Sequence, residues 1–128
     1  AYIDSIGGLK APADLRRATL LRHPLLFWQP WFEAAGLDWL EPVSGPSYED
    51  AMMMYEAAAA GHGVALTPKT LFDAQGKTLV QPFELELPDR AYYIVLAPEA
   101  AERPLTRLFI DWLLQAALAG SASRQTAT

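Results

Sequence analysis

Residues 56–68 read EAAAAGHGVALTP, and this stretch decides the fold class of the chain. Its alanine-rich first half is a strong helix former and continues a helix predicted over residues 49–60. Gly61 and Gly63 end that helix, and residues 64–67 form a short apolar segment typical of a buried strand. A helix that leads through a glycine turn into a buried strand is the repeating pattern of α/β proteins.

The same alternation continues on both sides of this stretch. Further strands are predicted over residues 19–22, 79–83 and 91–97, and further helices over residues 13–17, 28–36, 69–74 and 104–120. The segment 91–97 is apolar on both faces, which indicates a strand buried within an α/β sheet. The fold class predicted for the whole chain is therefore α/β.

Composition narrows the classes of function. The 128 residues are 52% hydrophobic and carry a net charge of −5, so the chain can fold but repels phosphate backbones and is not expected to bind nucleic acid alone. The chain has no cysteine, which excludes disulfides and thiolate metal sites. No segment has the roughly 18 apolar residues of a membrane span, and no signal peptide is visible. We expect a cytoplasmic protein without membrane contact.

A catalytic function finds little support. His23 precedes a proline at a strand end and His62 lies between two glycines, so both are interpreted as loop or cap histidines. Ser44 and Ser47 are turn residues without a nearby base, and no spacing suggests a metal site. We therefore predict no catalytic residue, no metal and no cofactor, and a small α/β enzyme is the weakest hypothesis.

Binding is the better-supported chemistry. Ligands of open α/β sheets lie beyond the carboxyl ends of the strands, next to helix amino termini. Three places fit: the turn that leads into the Trp28 helix, the turn at Ser47-Tyr48, and the strand end at residues 66–68. Ordinary helix capping would account for any one of them, but together they outline a site.

Five segments in order resemble the effector-binding domain of LysR-type bacterial transcription regulators. The first is the stretch at 56–68, and the others are PADL at 12–15, WFEAAG at 31–36, LVQPF at 79–83, and YYIV at 92–95 with FIDWL at 109–113. The resemblance covers residues 8–118, and within the family it is nearest to glycine-cleavage activators and β-lactamase regulators.

This resemblance implies the periplasmic-binding-protein type II architecture, in which crossover strands join two α/β lobes. Residues 1–118 would hold the second lobe, the return strand and the C-terminal helix, and residues 119–128 a disordered tail. Regulators of this kind have about 300 residues, with an N-terminal winged helix-turn-helix that this chain lacks. The apolar stripe from Leu105 to Ala116 would then lack its partner lobe, and we expect it to self-associate, swap or fold back.

The function implied by the resemblance is the sensing of a small amino-acid-like or peptide-like effector in a cleft between the lobes. Lobe closure would rearrange a homo-oligomer and so control transcription through the DNA-binding domain. The ligand-binding residues carried over are Trp28, Tyr48, Glu49, Asp50, Leu66, Thr67, Pro68 and Tyr92. The alternative is a solute-binding protein of a transport system, which shares the fold.

This sequence departs from the family at two of these positions. Relatives often place a Ser or Thr hydroxyl where Glu49 and Asp50 stand here. Carboxylates accept hydrogen bonds and attract cations. The departure therefore favours an amine or a peptide-like ligand over an anionic one at this turn.

Overall fold

The structure is a computed structural model that describes residues 1–74, 78–87 and 93–125. The chain divides into two compact units, Ala1–Arg90 and Ala91–Thr128. The first unit contains α1 (Tyr2–Ser5), a 3-10 helix (Pro12–Arg17), α2 (Gln29–Ala34), α3 (Ala51–Ala59) and α4 (Lys69–Ala74). The second contains α5 (Pro98–Ala101) and α6 (Pro104–Gln125). Every helix predicted from the sequence is present, and four of the five have different ends.

Helix α2 covers Gln29–Ala34, within the predicted range 28–36, with Trp28 as its N-cap and Ala35 as its C-cap. Pro30 lies in the first turn, where its missing N–H costs no hydrogen bond. Gly36 has φ +73° and ends the helix: its N–H donates to the Glu33 carbonyl (3.0 Å), and the Leu37 N–H donates to the Phe32 carbonyl (2.8 Å). This pair of bonds is a Schellman motif, which satisfies carbonyls that the last turn leaves unpaired.

Helix α3 starts later than predicted. Asp50 is not in the first turn but precedes it as the N-cap, because its Oδ1 accepts the backbone N–H groups of Met52 (2.7 Å) and Met53 (3.4 Å). A side-chain oxygen at this position satisfies donors that have no partner within the helix. Gly61, at φ +82°, ends the helix through a second Schellman motif.

Three short segments pair in parallel around residues 19–22. Leu20 forms a bridge with Val64 on one side, and Arg22 forms a bridge with Ser47 on the other. The bonds on the first side run from Leu21 N–H to the Val64 carbonyl (2.8 Å) and from Val64 N–H to the Thr19 carbonyl (2.9 Å). The predicted strand at 19–22 thus occupies the centre of the first unit, although its pairing extends over single bridges only.

The other predicted strands are not observed among the described residues. Residues 65–67 and 79–83 form no bridge there, and residues 93–97 are exposed coil, while 91 and 92 lie outside the described residues. A strand needs the backbone groups of a neighbouring strand, and an apolar pattern reports only the tendency to be buried. The strand predicted at 79–83 is therefore wrong for this structure. The one predicted at 64–67 is reduced to the bridge of Val64, and residues 93–97 of the one predicted at 91–97 are coil.

The core lies on both faces of the central segment. Leu20 packs against a cluster of Leu9, Leu15, Trp28, Trp31 and Phe32, and the next residue, Leu21, belongs to a cluster with Met54, Tyr55 and Ala57. Successive side chains of extended backbone point to opposite sides, so one segment serves both clusters. Three aromatic rings of the first cluster, those of Trp28, Trp31 and Phe32, lie 5.7 to 6.3 Å apart in stacked and edge-on pairs.

The 3-10 helix is held by Asp14. Its Oδ2 accepts the N–H groups of Ala11 and Lys10 (both 2.9 Å), and its Oδ1 accepts Nη2 of Arg17 (2.9 Å). The backbone donors of Ala11 and then Lys10 keep the pKa of Asp14 below its ordinary value. The segment that precedes the central bridges is therefore fixed by a charged cap.

In the second unit, α6 is longer than predicted. It continues through Gly120 to Gln125, so the predicted end at Gly120 is wrong. Arg107 ties its first turn to α5 by donating from Nε to the Ala101 carbonyl (2.9 Å). None of the helices in the described ranges is long and apolar enough to cross a membrane.

Candidate functional site

The parallel bridges bring three chain turns to one edge of the first unit. The segments that contain Arg22, Ser47 and Val64 are parallel to one another. The residues that follow each segment therefore lie at the same edge of the first unit. These are the turn at residues 23–26, the turn at residues 48–50, and residues 65–68. The sequence predicted this convergence, although the paired segments are shorter than predicted.

The turn at residues 48–50 carries most of the predicted ligand residues. Tyr48 is half-buried against the second core cluster, and its N–H donates to the Arg22 carbonyl (2.9 Å). Glu49 is exposed, and its carbonyl oxygen lies 3.1 Å from Nε2 of His23. Asp50 is also exposed while its Oδ1 caps α3. The turn therefore presents two adjacent carboxylates to solvent at the start of a helix.

Residues 66–68 form a second part of the site. Leu66 packs against the first core cluster, and the Thr67 hydroxyl donates to the Pro68 carbonyl (3.2 Å). That carbonyl also accepts the N–H groups of Leu71 (3.0 Å) and Phe72 (3.1 Å), which starts α4. In this structure the polar groups of the segment thus serve the local turn into α4.

Trp28 lies in the core beneath the site. Its side chain is 1% exposed, and its indole N–H donates to the Leu21 carbonyl (3.0 Å). The ring therefore supports the turn at 23–26 from inside. Tyr92, the last predicted ligand residue, lies outside the described residues. Ligand contact by either residue stays a prediction.

A cleft of about 360 Å³ opens beside the start of α2. It is lined by Phe27, Gln29, Pro30, Glu33 and Glu41. The Glu41 carboxylate accepts the Gln29 N–H (2.8 Å), and the Gln29 amide donates to the Glu33 carboxylate (3.0 Å). Both carboxylates in the cleft therefore have a protein partner. Over the described part of the chain, no group of three or more His, Asp or Glu side chains is arranged to hold a metal ion.

Sequence reasoning missed Arg22 and His23. His23 is a turn histidine, as the sequence predicts, and both of its ring nitrogens have partners that the sequence did not predict: Nε2 lies beside the Glu49 carbonyl, and Nδ1 accepts the Leu25 N–H (3.1 Å). Arg22 donates from its guanidinium to the carbonyls of Gly45 and Pro42. The available signal was an Arg-His pair at the carboxyl end of a predicted strand, next to a turn-rich loop.

The parallel bridges and the clustered turns indicate an α/β domain, and comparison with known proteins identifies its family. Residues 7–118 match the LysR substrate binding domain family, and the chain belongs to that family. Its relatives are transcription regulators and not enzymes. The resemblance to LysR effector domains and to β-lactamase regulators is therefore confirmed.

Individual relatives agree. The HTH-type transcriptional activator AmpR of Rhodobacter capsulatus is 37% identical over 106 residues, which cover 80% of this chain and 36% of that protein. A carbapenem-hydrolyzing beta-lactamase transcriptional activator of Serratia marcescens is 31% identical over 115 residues, covering 84% and 39%. The chain spans about two fifths of the length of these curated relatives.

A solved structure supports the fold. The effector domain of the transcriptional regulator AmpR of Pseudomonas aeruginosa superposes with a TM-score of 0.70 and 29% sequence identity. The match covers 96% of this chain and 61% of that one. Together with the family match, it implies the periplasmic-binding-protein type II-like fold, in which the bridges around Leu20 and Arg22 mark the sheet.

Proposed function

We propose that this chain is the effector-sensing part of a LysR-family transcription regulator and that it binds a small amine-bearing or peptide-like metabolite. The observation that carries the proposal is the parallel pairing of Arg22 with Ser47 and of Leu20 with Val64. This pairing gathers the turns at 23–26, 48–50 and 65–68 at one edge, where ligands of α/β sheets bind. The family match over residues 7–118 supports the regulatory role.

The chemistry of the turn at 48–50 supports the ligand class. Glu49 and Asp50 are both exposed, and the chain carries a net charge of −5. Ionised carboxylates only accept hydrogen bonds, so their natural partner is an ammonium or an N–H group. This turn would attract an amino group of a ligand and repel a carboxylate of a ligand.

In the proposed architecture, the first lobe of the domain forms the second wall of the ligand cleft. We place residues 1–118 in the second lobe of a two-lobed domain, with Tyr92 near the crossover and the final helix packed against the first lobe. The parent protein would be a cytoplasmic homo-oligomer that binds DNA through an N-terminal winged helix-turn-helix. Because a cleft between lobes encloses its ligand from both sides, this chain alone should bind weakly.

A solute-binding protein of a transport system is the less favoured alternative. Such proteins share the fold, but the relatives that match this chain are named as transcription regulators. The same names support the DNA-binding role proposed for the parent protein.

An NMR titration tests the ligand class. The ¹⁵N-labelled chain is titrated with the common free amino acids and with alanyl-alanine, and N-acetyl-alanyl-alanine serves as the matched ligand that lacks the cation. We expect free amines to shift the amide signals of residues 48–50 and of Leu66 and Thr67, and the acetylated peptide to leave them unchanged.

A double variant tests the two carboxylates. Glu49→Gln with Asp50→Asn removes both charges, while asparagine still caps α3. We expect the amine-dependent shifts to disappear in this variant. Equal binding of the free and acetylated peptides, or shifts confined to other parts of the chain, would contradict the proposed ligand class.

A further inference from the structure

We propose that Arg22 and His23 are positioning residues that hold the turn at 48–50 in place. The inference rests on the proposed function, because that turn is the predicted ligand contact. The two residues, called the Arg22–His23 clamp below, end the central segment. Their side chains form hydrogen bonds with the loop at residues 42–49. The partners are the carbonyls of Pro42, Gly45 and Glu49, at the start, middle and end of that loop.

The backbone of Arg22 aligns the middle of this loop. Its N–H donates to the Pro46 carbonyl (3.0 Å), and its carbonyl accepts the Tyr48 N–H (2.9 Å). This is the pattern of a parallel bridge, with Ser47 opposite Arg22. The direction in which the chain enters the turn at 48–50 is therefore set by Arg22.

The side chain of Arg22 holds the earlier half of the loop. Nη2 and Nε donate to the Gly45 carbonyl (2.9 and 3.3 Å), and Nη1 donates to the Pro42 carbonyl (3.5 Å). A guanidinium presents these donors in a rigid plane, which a lysine ammonium cannot reproduce. Gly45 has φ +98°, and a Cβ there would lie 3.3 Å from the Leu20 carbonyl, so glycine lets the loop approach the central segment.

The imidazole of His23 holds the end of the loop. Nδ1 accepts the Leu25 N–H (3.1 Å), so Nδ1 carries a lone pair and the proton of the neutral ring resides on Nε2. Nε2–H then donates to the Glu49 carbonyl (3.1 Å). Pro24 occupies the second position of a β-turn closed by the Leu26 N–H on the His23 carbonyl (3.2 Å), which fixes the backbone that carries the ring.

Two matched variants separate the two bonds of the imidazole. His23→Gln has an amide long enough to donate to the Glu49 carbonyl. His23→Asn has an oxygen suited to the Leu25 N–H two residues on, but it is too short to reach Glu49. We expect the ¹⁵N amide signals of residues 48–51 to shift in His23→Asn and to return towards their wild-type positions in His23→Gln.

Arg22→Lys tests the guanidinium, because it keeps the positive charge and removes the planar set of N–H donors. We expect the ¹⁵N amide signals of residues 43–48 to shift in this variant, and those of the 3-10 helix and of α2 to stay unchanged. Thermal unfolding of every variant is measured alongside. Shifts spread over the whole first unit would show a merely structural role, and unchanged amides at 48–51 in His23→Asn would overturn the proposal.

A binding measurement completes the test. For the free amino acid or alanyl-alanine that binds the wild-type chain most tightly, we expect about tenfold weaker binding in His23→Asn, since displaced contacts lose affinity, and near wild-type binding in His23→Gln. Equal losses in both variants would contradict positioning by the Glu49 bond. If none of these amines binds the wild-type chain, the proposed function fails, while the amide shifts still decide whether the clamp positions the turn.

Discussion

At the scale of single residues, Tyr55 shows how a core position can carry an unsatisfied polar atom. Its side chain is 2% exposed in the cluster with Leu21 and Met54, and its hydroxyl has no hydrogen-bond partner in the described part of the chain. A buried hydroxyl without a partner destabilises a fold by about 1–3 kcal/mol. The aromatic ring, in contrast, contributes to packing.

We therefore expect Tyr55→Phe to raise the free energy of unfolding by about 1 kcal/mol, because it removes the hydroxyl and keeps the ring. Chemical denaturation followed by tryptophan fluorescence measures the change. Tyr55→Leu is the control and should cost about 1–3 kcal/mol through altered packing. A loss of stability in Tyr55→Phe would mean that the hydroxyl has a partner in solution.

Gly63 illustrates a residue that is required for steric reasons alone. A Cβ built at this position would lie 2.4 Å from the Thr19 carbonyl and 2.9 Å from Cδ2 of Leu21. Nothing lies near a Cβ built at Gly36, where the constraint is instead a φ of +73°. Gly63 is therefore required by the close approach of neighbouring atoms, and Gly36 by its backbone conformation.

Gly63→Ala should lower the free energy of unfolding by about 3 kcal/mol, because the bridge between Leu20 and Val64 must open to admit the methyl group beside the Thr19 carbonyl. Gly36→Ala should cost about 1–2 kcal/mol, the penalty of a left-handed conformation. Denaturant titration measures both changes in the free energy of unfolding. A smaller cost at Gly63 than at Gly36 would contradict the close packing of the central segment.

At the scale of elements, α3 depends on its cap. Asp50 binds the N–H groups of Met52 and Met53, and its carboxylate lies at the positive end of the helix. We expect Asp50→Ala to cost about 1 kcal/mol and Asp50→Asn to cost much less, since asparagine caps equally well. Thermal unfolding compares the two, and equal losses would mean that the charge stabilises the helix and the cap does not.

Helices were predicted from the sequence more accurately than strands, and the reason is physical. Gly36 and Gly61 end their helices through local backbone bonds, which a short sequence window contains. The strand predicted at 91–97 needs partners that are distant in sequence, and its described residues are exposed.

The candidate site shows the same difference between contacts that are local in sequence and contacts that are distant. The turn around residues 48–50 follows from nearby residues, so the sequence indicated it, although the sequence placed Asp50 inside α3 and not at its N-cap. The bond from His23 to the Glu49 carbonyl spans 26 residues and forms only once the bridges align the segments. No local pattern could have predicted it.

At the scale of the whole molecule, α6 carries an apolar stripe. Leu105 is 80% exposed, Phe109 58% and Trp112 61%, and the two aromatic rings lie 5.8 Å apart. Exposed apolar area of this kind is costly in water and is usually covered by another surface. The sequence-based expectation that this stripe self-associates, swaps or folds back therefore stays a prediction.

Sedimentation velocity tests this expectation. We expect the isolated chain to form concentration-dependent oligomers, and Phe109→Glu with Trp112→Glu to reduce them, because charges on the stripe oppose its burial. Gln115→Glu, which lies outside the apolar stripe, provides the control. A monodisperse monomer with a solvent-exposed helix would contradict the expectation.

The central claim is that this chain senses an effector within a DNA-binding regulator. The most direct measurement is the intact mass and N-terminal peptide map of the natural protein, captured from its source cells with an antibody to this chain. We expect a mass corresponding to about 300 residues and an N-terminal helix-turn-helix rich in basic residues. A secreted protein from which a signal peptide has been cleaved, or a native chain that lacks such a domain, would contradict the claim.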